Sequence, residues 1–506
     1  MAALAFVWTN VLILIAVLTA SGNGSQNERS KRAPGGPLTR NKDAGWTHTI
    51  KATDHVHMNG TCRSGTGSHG VPLVLGGSSS SSSSSSHHRH GACPLPLAVA
   101  AADDNITLSA WAPWTHRPVC TDARQDEWGA VQQHCVFTDA TFRGGRGISV
   151  IAAPHVAAAM ADTLDDGGIP ARLRDHPSTP LAGDPTLEHG PPAAEGGNAS
   201  FTVQTLPNRG KGVVATRRIR KGELVFVDYV TVLSQNTFTA PGSSDAPADP
   251  EQILQLLQVA VQQLTPGQQA RVHALAHSLG GERIRDILRT NVFGGIEIAG
   301  EPHIGLFPLG SRINHNCQPN TYWRYTPGYL SQEVIALRDI ERGEEVTHSY
   351  IPLGVVYEER QEQINGWGFR CTCPLCTAPP AQRALSDQRR RRLHAIHGEL
   401  SATSASATAG YSTADRATRL AEMVDEMEFL VEKEQIWPAL CDYYLVATQA
   451  FLDVDDFAGA RRYWHAASDA WDTYAGEQHE NVDTLRDLWK AITARESAVE
   501  AAAAAA

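Results

Sequence analysis

SRINHNCQPN, residues 311–320, is the stretch from which the rest of the chain can be read. It is followed by ALRDIERGEEVTHSYI at 336–351 and GWGFRCTCPLC at 366–376, and preceded by NRGKGVVATRRIRKGELVF at 208–226. In the earliest of these segments, Val213-Val214-Ala215 and Leu224-Val225-Phe226-Val227 flank Arg220-Lys221-Gly222-Glu223, which predicts two strands joined by a turn. Gly210 and Gly212 let the backbone come close to a ligand where a side chain would intrude. Cys371, Cys373 and Cys376 have the tight spacing of metal ligands. Between the segments, Gln252 to Leu264 and Gly281 to Leu288 carry Ile, Leu and Val at helical spacing, so a helical piece is inserted into a β-rich unit.

Beyond Pro380 the pattern is helical. Leu420-Met423-Met427-Leu430, Leu440-Tyr444-Ala447 and Trp464-Ala467-Trp471 mark apolar faces, separated by Pro438, Asp453 to Asp456 and Gly476. The run Arg389 to Arg392 reads as a solvated helix face.

The four motif segments stand in the order found in SET-domain lysine methyltransferases, which the chain resembles from about Asn208 to Cys376. It is most similar to the SMYD-like group, which has a long helical insert and a helical tail, but it has no MYND-type Cys/His cluster. It also resembles fungal SET-domain proteins with a signal-like start. The resemblance implies an α+β protein: a SET-domain β-fold with an inserted helical segment, a post-SET zinc site and a helical, TPR-like C-terminal domain. It implies AdoMet as cofactor, bound by Gly210, Lys211, Gly212, Asn291, Asn314, His315 and Phe369. It further implies Tyr350 as the catalytic hydroxyl, Trp367 and Phe369 as walls of a substrate channel, and structural Zn2+ on Cys317, Cys371, Cys373 and Cys376. The implied activity is methylation of a lysine in a protein or peptide.

Methyl transfer from a sulfonium to an amine is an in-line displacement without a covalent enzyme intermediate, so positioning and electrostatics must supply most of the acceleration. A neighbouring sulfonium and an apolar channel would lower the lysine pKa, so no strong protein base is needed. Two rivals stand beside this reading. One is a non-catalytic SET-fold binding module; the other is a secreted interaction protein with every cysteine in a disulfide.

At 506 residues the chain exceeds one ordinary core. Its net charge of -11 gives no overall positive field, which argues against direct nucleic-acid binding. Residues 1–22 resemble a signal peptide, with an apolar run from Val11 to Leu18 and small residues at Ala20-Ser21-Gly22, although no Lys or Arg precedes the run. Once that segment is cleaved, no membrane span is expected. Sequons at Asn23, Asn59, Asn105 and Asn198 also favour the secretory pathway, with nucleus or cytoplasm as the alternative. Residues 23–92 form a Ser/Gly/His-rich segment expected to be disordered. Then come a Cys/Trp-rich element (93–161), a linker (162–200), the SET region (201–355) with its insert at about 235–290, the zinc segment (356–380) and the helical domain (381–500). Cys62, Cys93, Cys120 and Cys135 allow three disulfide connectivities.

Overall fold

The computed structural model describes residues 111–125, 131–164, 173, 200–235, 250–402, 412–476 and 481–505. The signal-like segment, the four sequons, the Ser/His-rich tract, Cys62, Cys93 and nearly all of 162–200 lie outside the described residues. Among the described residues, no helix is long and apolar enough to cross a membrane.

Three β-sheets of three or more strands run through the described residues. The largest takes β1 (Val119–Cys120), β2 (Cys135–Asp139) and β3 (Ile148–Ala152) from the Cys/Trp-rich element. β3 pairs in parallel with the later strand Val232–Gln235, Val150 lying opposite Leu233, and so joins a six-stranded sheet. All five residues of both β2 and β3 are buried, as expected for strands covered on both faces. Cys120 and Cys135 are opposite one another in the β1–β2 register and form a disulfide.

The chain continues through β4 (Phe201–Leu206), β5 (Gly210–Ala215), β6 (Leu224–Tyr229) and β7 (Val232–Gln235). The β4–β5 turn places Asn208 at φ 58° and Gly210 at φ 67°, left-handed values that Asn tolerates and Gly adopts freely. The insert then supplies α1 (Pro250–Gln262), α2 (Pro266–His273) and α3 (Arg283–Asn291). α3 starts where the Glu282 side chain accepts from the Arg285 N–H (3.0 Å), and it buries Ile284, Ile287 and Leu288 at helical spacing. These residues, with Leu256, Leu257, Ala260 and Val261 of α1, cover Val136, Ile151, Val232 and Leu306 on the large sheet. Fully burying one such side chain contributes about 2 kcal/mol, so the insert is fixed to the sheet by its own apolar stripe.

β8 (Val292–Ile298) and β9 (Glu301–Leu306) complete the large sheet in the order β1-β2-β3-β7-β9-β8. β10 (Asn314–His315), β11 (Thr321–Thr326), β12 (Ser331–Ala336) and β13 (Glu345–His348) follow. They form two smaller sheets, β10-β13-β5-β4 and β11-β12-β6. After α4 (Tyr357–Asn365) the chain is helical: α5 (Pro380–Ser401), α6 (Thr413–Glu434), α7 (Leu440–Asp453), α8 (Phe457–Tyr474) and α9 (Val482–Ala505). Leu420, Met427, Leu430, Ala447, Ala467 and Trp471 meet in one core, while Met423, Leu440, Tyr444 and Trp464 pack at its edge.

The basic run departs from the expectation of a solvated face. Arg390 is 1% exposed and points into the protein. Consecutive helical residues are about 100° apart around the axis, so one member of such a run can face inward while its neighbours do not.

Candidate functional site

Four segments distant in sequence meet around one cavity of about 1490 Å³. They are the β4–β5 turn, the loop leading into β10, the end of β13 running through Tyr350, and the Trp367–Cys373 stretch. The parallel β10–β13 pairing sets Asn314 opposite Thr347 and His315 opposite His348, which brings the first half of the site alongside Tyr350.

Asn314 is wedged between β5 and β13. Its Nδ2 donates to the Glu345 carboxylate (2.9 Å) and the Lys211 carbonyl (3.3 Å). A Cβ on Gly212 would stand 2.9 Å from that Nδ2 and collide with Leu206. Gly212 is therefore required by the approach of Asn314. Gly210, by contrast, has open space where a Cβ would be and lines the cavity together with Lys211.

The His315 ring is buried, and burial lowers its pKa to about 3. Its Nδ1 accepts from the Tyr350 N–H (3.0 Å), so in the neutral ring the proton is on Nε2, which lies 3.2 Å from Cys317 Sγ. His315 thus joins the tyrosine segment to the cysteine cluster. His348 is buried against Phe293, with centroids 5.6 Å apart, and burial lowers its pKa to about 4. An unfolded chain protonates this histidine near the ordinary value of 6.5 while the folded one keeps it neutral to about 4. The unfolded state then binds the extra proton, and stability falls as pH drops through that window, by about 2 kcal/mol at pH 5. Urea unfolding at pH 7, 6 and 5 should show this slope, reduced in His348→Phe; an identical slope in the variant would contradict the assignment.

The Tyr350 hydroxyl donates to the Ile313 carbonyl (2.9 Å), and burial raises its pKa above the usual tyrosine value. Around it stand His348 at 5.1 Å, His315 at 5.4 Å, Trp367 at 5.7 Å and Phe369 at 6.4 Å between ring centroids. Phe369 is 39% exposed, at the mouth of this aromatic enclosure. Ser278, from the insert, donates its hydroxyl to the Trp367 carbonyl (2.9 Å) and so braces the wall.

Asn291 also borders the cavity, but its amide Nδ2 donates to the Ala276 (2.7 Å) and Ile287 (2.6 Å) carbonyls. Both N–H bonds are thereby committed to holding the end of α3.

Cys317, Cys371, Cys373 and Cys376 are buried, and their Sγ atoms all lie within 4.8 Å of one another. Cys317 Sγ is 3.8 Å from that of Cys371 and 3.5 Å from that of Cys376. A tetrahedron with metal–sulfur bonds of about 2.3 Å has edges of about 3.8 Å, so the set fits a structural Zn2+. The hydrogen bond with Cys317 lowers Cys373 and, together with that of Cys371, brings Cys376 to about 7, whereas Cys317 and Cys371 are raised, so two of the four lean toward the thiolate form a metal requires. Gln361 brackets Cys371, accepting from its N–H and donating to its carbonyl, each at 3.2 Å.

Three residues that tie the segments together were not singled out from the sequence. Arg209 donates from Nη2 to the His315 carbonyl (2.9 Å) and pairs through Nε with Glu345 (3.3 Å). Asn320 accepts from the Thr347 N–H (2.7 Å) and donates to the Glu345 carbonyl (2.8 Å). Their positions inside NRGKG, NHNCQPN and RGEE were the available signal.

Residues 210–351 match the family model described as SET domain. The chain carries a SET domain over these residues. Its α+β fold and the four-cysteine cluster beside the SET core agree with what the motifs implied. The SET-domain chain is 30% identical over 197 residues to the histone-lysine N-methyltransferase set5 of Schizosaccharomyces pombe, covering 38% of this chain and 56% of that protein. It is 43% identical over 72 residues to ATXR2 of Arabidopsis thaliana, covering 14% and 15%, and 38% identical over 77 residues to human SMYD3, covering 15% and 18%. The chain thus spans about half of the first relative's length and much less of the other two. The solved Neurospora SET-domain protein DIM-5, a histone lysine methyltransferase, aligns at 17% identity and a TM-score of 0.17, covering 30% of this chain and 52% of that one.

Proposed function

We propose that this SET-domain protein is an AdoMet-dependent protein-lysine methyltransferase. The observation that carries the reading is the convergence of the Tyr350 hydroxyl, the Asn314–His315 segment and the Trp367–Phe369 wall on one cavity. Three relatives bear the name histone-lysine N-methyltransferase, which favours a lysine in a protein or peptide as the acceptor, histone or otherwise.

AdoMet, when bound, supplies an electrophilic methyl group on a sulfonium. The open face of Gly210, the Lys211 backbone and the Asn314–His315 strand would hold it, with Phe369 over its outer side. Asn291 enters this set only through its carbonyl groups, since its amide N–H bonds are already used. Trp367, Tyr350 and His348 enclose an apolar channel in which a lysine amine sheds water and releases its proton more easily. Tyr350, fixed by the Ile313 carbonyl, presents its hydroxyl oxygen to that amine and orients its lone pair. Zn2+ on the four cysteines would fasten the Trp367–Cys376 segment to the Asn314–Cys317 strand and would take no part in methyl transfer.

For the compartment, the Cys120–Cys135 bridge and the signal-like start favour the secretory pathway. The four assembled thiols favour a place where they stay reduced until metal binds, as in nucleus or cytoplasm.

Calorimetry with zinc-replete protein should detect one AdoMet per chain, and a lysine peptide array should accept label from methyl-labelled AdoMet. A binding module would fail on the array. Absence of AdoMet binding would overturn the enzyme reading.

A further inference from the structure

A buried ion pair joins the C-terminal helices to the site. Arg390 of α5 and Glu434, the last residue of α6, are each 1% exposed, and Arg390 Nε donates to Glu434 Oε2 (2.9 Å). The Ser386 hydroxyl donates to the same oxygen (2.6 Å), and Gln318 Nε2 donates to the Glu434 carbonyl (3.3 Å). The other two guanidinium nitrogens leave the helices altogether. Nη2 donates to the Cys317 carbonyl (3.3 Å) and Nη1 to the Val355 carbonyl (3.0 Å).

Burying two charges carries a desolvation cost that their attraction rarely repays, and well-packed apolar residues of similar volume often serve stability as well or better. Stability alone therefore does not account for this pair. What apolar side chains cannot do is donate hydrogen bonds to two carbonyls at once. Cys317 ends the segment that carries Asn314 and His315, and Val355 follows the segment that carries Tyr350. A planar guanidinium held by Glu434 spans both from a rigid helix.

We propose that Arg390, oriented by Glu434, is a positioning residue: it holds the Asn314–Cys317 and Tyr350–Val355 segments in register, making the C-terminal helices part of the site. The proposal rests on the methyltransferase reading for its cofactor measurement, but not for its measurement of backbone order.

The test compares wild type, Arg390→Lys and the double variant Arg390→Met/Glu434→Leu, in zinc-replete full-length protein. The double variant removes both buried charges together, at the cost of the Ser386 and Arg389 contacts to Glu434, so both readouts are taken well below its own melting temperature, where it is folded. AdoMet affinity should nevertheless fall about tenfold, the loss of one charge-assisted hydrogen bond. Amide exchange over residues 314–320 and 350–355 should speed up without bound AdoMet. Arg390→Lys keeps the charge opposite Glu434 but lacks the fork, so it should lie between the two. Wild-type affinity and wild-type exchange in the double variant would overturn the proposal and reduce the pair to core filler. If the double variant does not fold, Arg390→Lys is judged by the same two readouts. If wild type binds no AdoMet, the methyltransferase reading fails, and the exchange measurement still decides the role of Arg390.

Discussion

Tyr350→Phe should lower turnover on the order of a hundredfold, the usual loss when one well-placed polar group is removed from a reacting centre. AdoMet affinity should stay within about twofold, because the change deletes one oxygen, keeps the ring and leaves its aromatic neighbours in place. The deleted oxygen donates to the Ile313 carbonyl, so the fold loses one hydrogen bond worth about 1 kcal/mol. That is too little to unfold the site. Calorimetry and steady-state kinetics on the same preparation separate the effects: a fall in kcat with unchanged AdoMet affinity places the hydroxyl at the reaction. Full turnover in the variant would mean that Tyr350 is a core tyrosine whose hydroxyl merely ties the end of β13 to the start of β10.

The residues proposed to carry the chemistry could be singled out because each belongs to a compact motif whose members are close in sequence. Cys371, Cys373 and Cys376 could be placed together by spacing, and Cys317 was added by family resemblance across 54 residues. What joins the motifs was harder to see. Arg209 and Glu345 are an ordinary charged pair until the β5–β13 pairing sets them together against the Asn314–His315 strand. Arg390 was read as solvated because its neighbours are arginines, and its partner Glu434 lies 44 residues away on another helix. In the Cys/Trp-rich element, likewise, nothing local indicated that Ser149 would pair with Val232. In each case the missing information is a long-range pairing, which periodicity within one segment does not encode.

Cys317→Ser should release zinc and, with it, most AdoMet affinity, although the thiol itself is not proposed to touch the cofactor. Cys317 is the only one of the four cluster cysteines that comes from the Asn314–His315 strand; the other three come from the 371–376 turn. With metal bound, that one thiolate joins the two halves of the site, and a structural zinc can contribute on the order of 10 kcal/mol to organising its ligands. The substitution also removes the sulfur against which the His315 Nε2 proton lies, while His315 Nδ1 accepts from the Tyr350 N–H. The loss therefore reaches Tyr350 through one ring as well as the Trp367–Phe369 wall through the metal. Cys371→Ser should behave alike, since Cys371 is two residues from Phe369 and its Sγ lies 3.8 Å from that of Cys317. Cys441→Ser is the control: Cys441 is buried among the C-terminal helices and lies outside the metal-spaced set. Metal analysis and calorimetry on all three variants should show zinc and AdoMet falling together in the first two and unchanged in the third. Normal AdoMet binding by a zinc-free Cys317→Ser protein would separate the two sites and remove the structural role assigned to the metal.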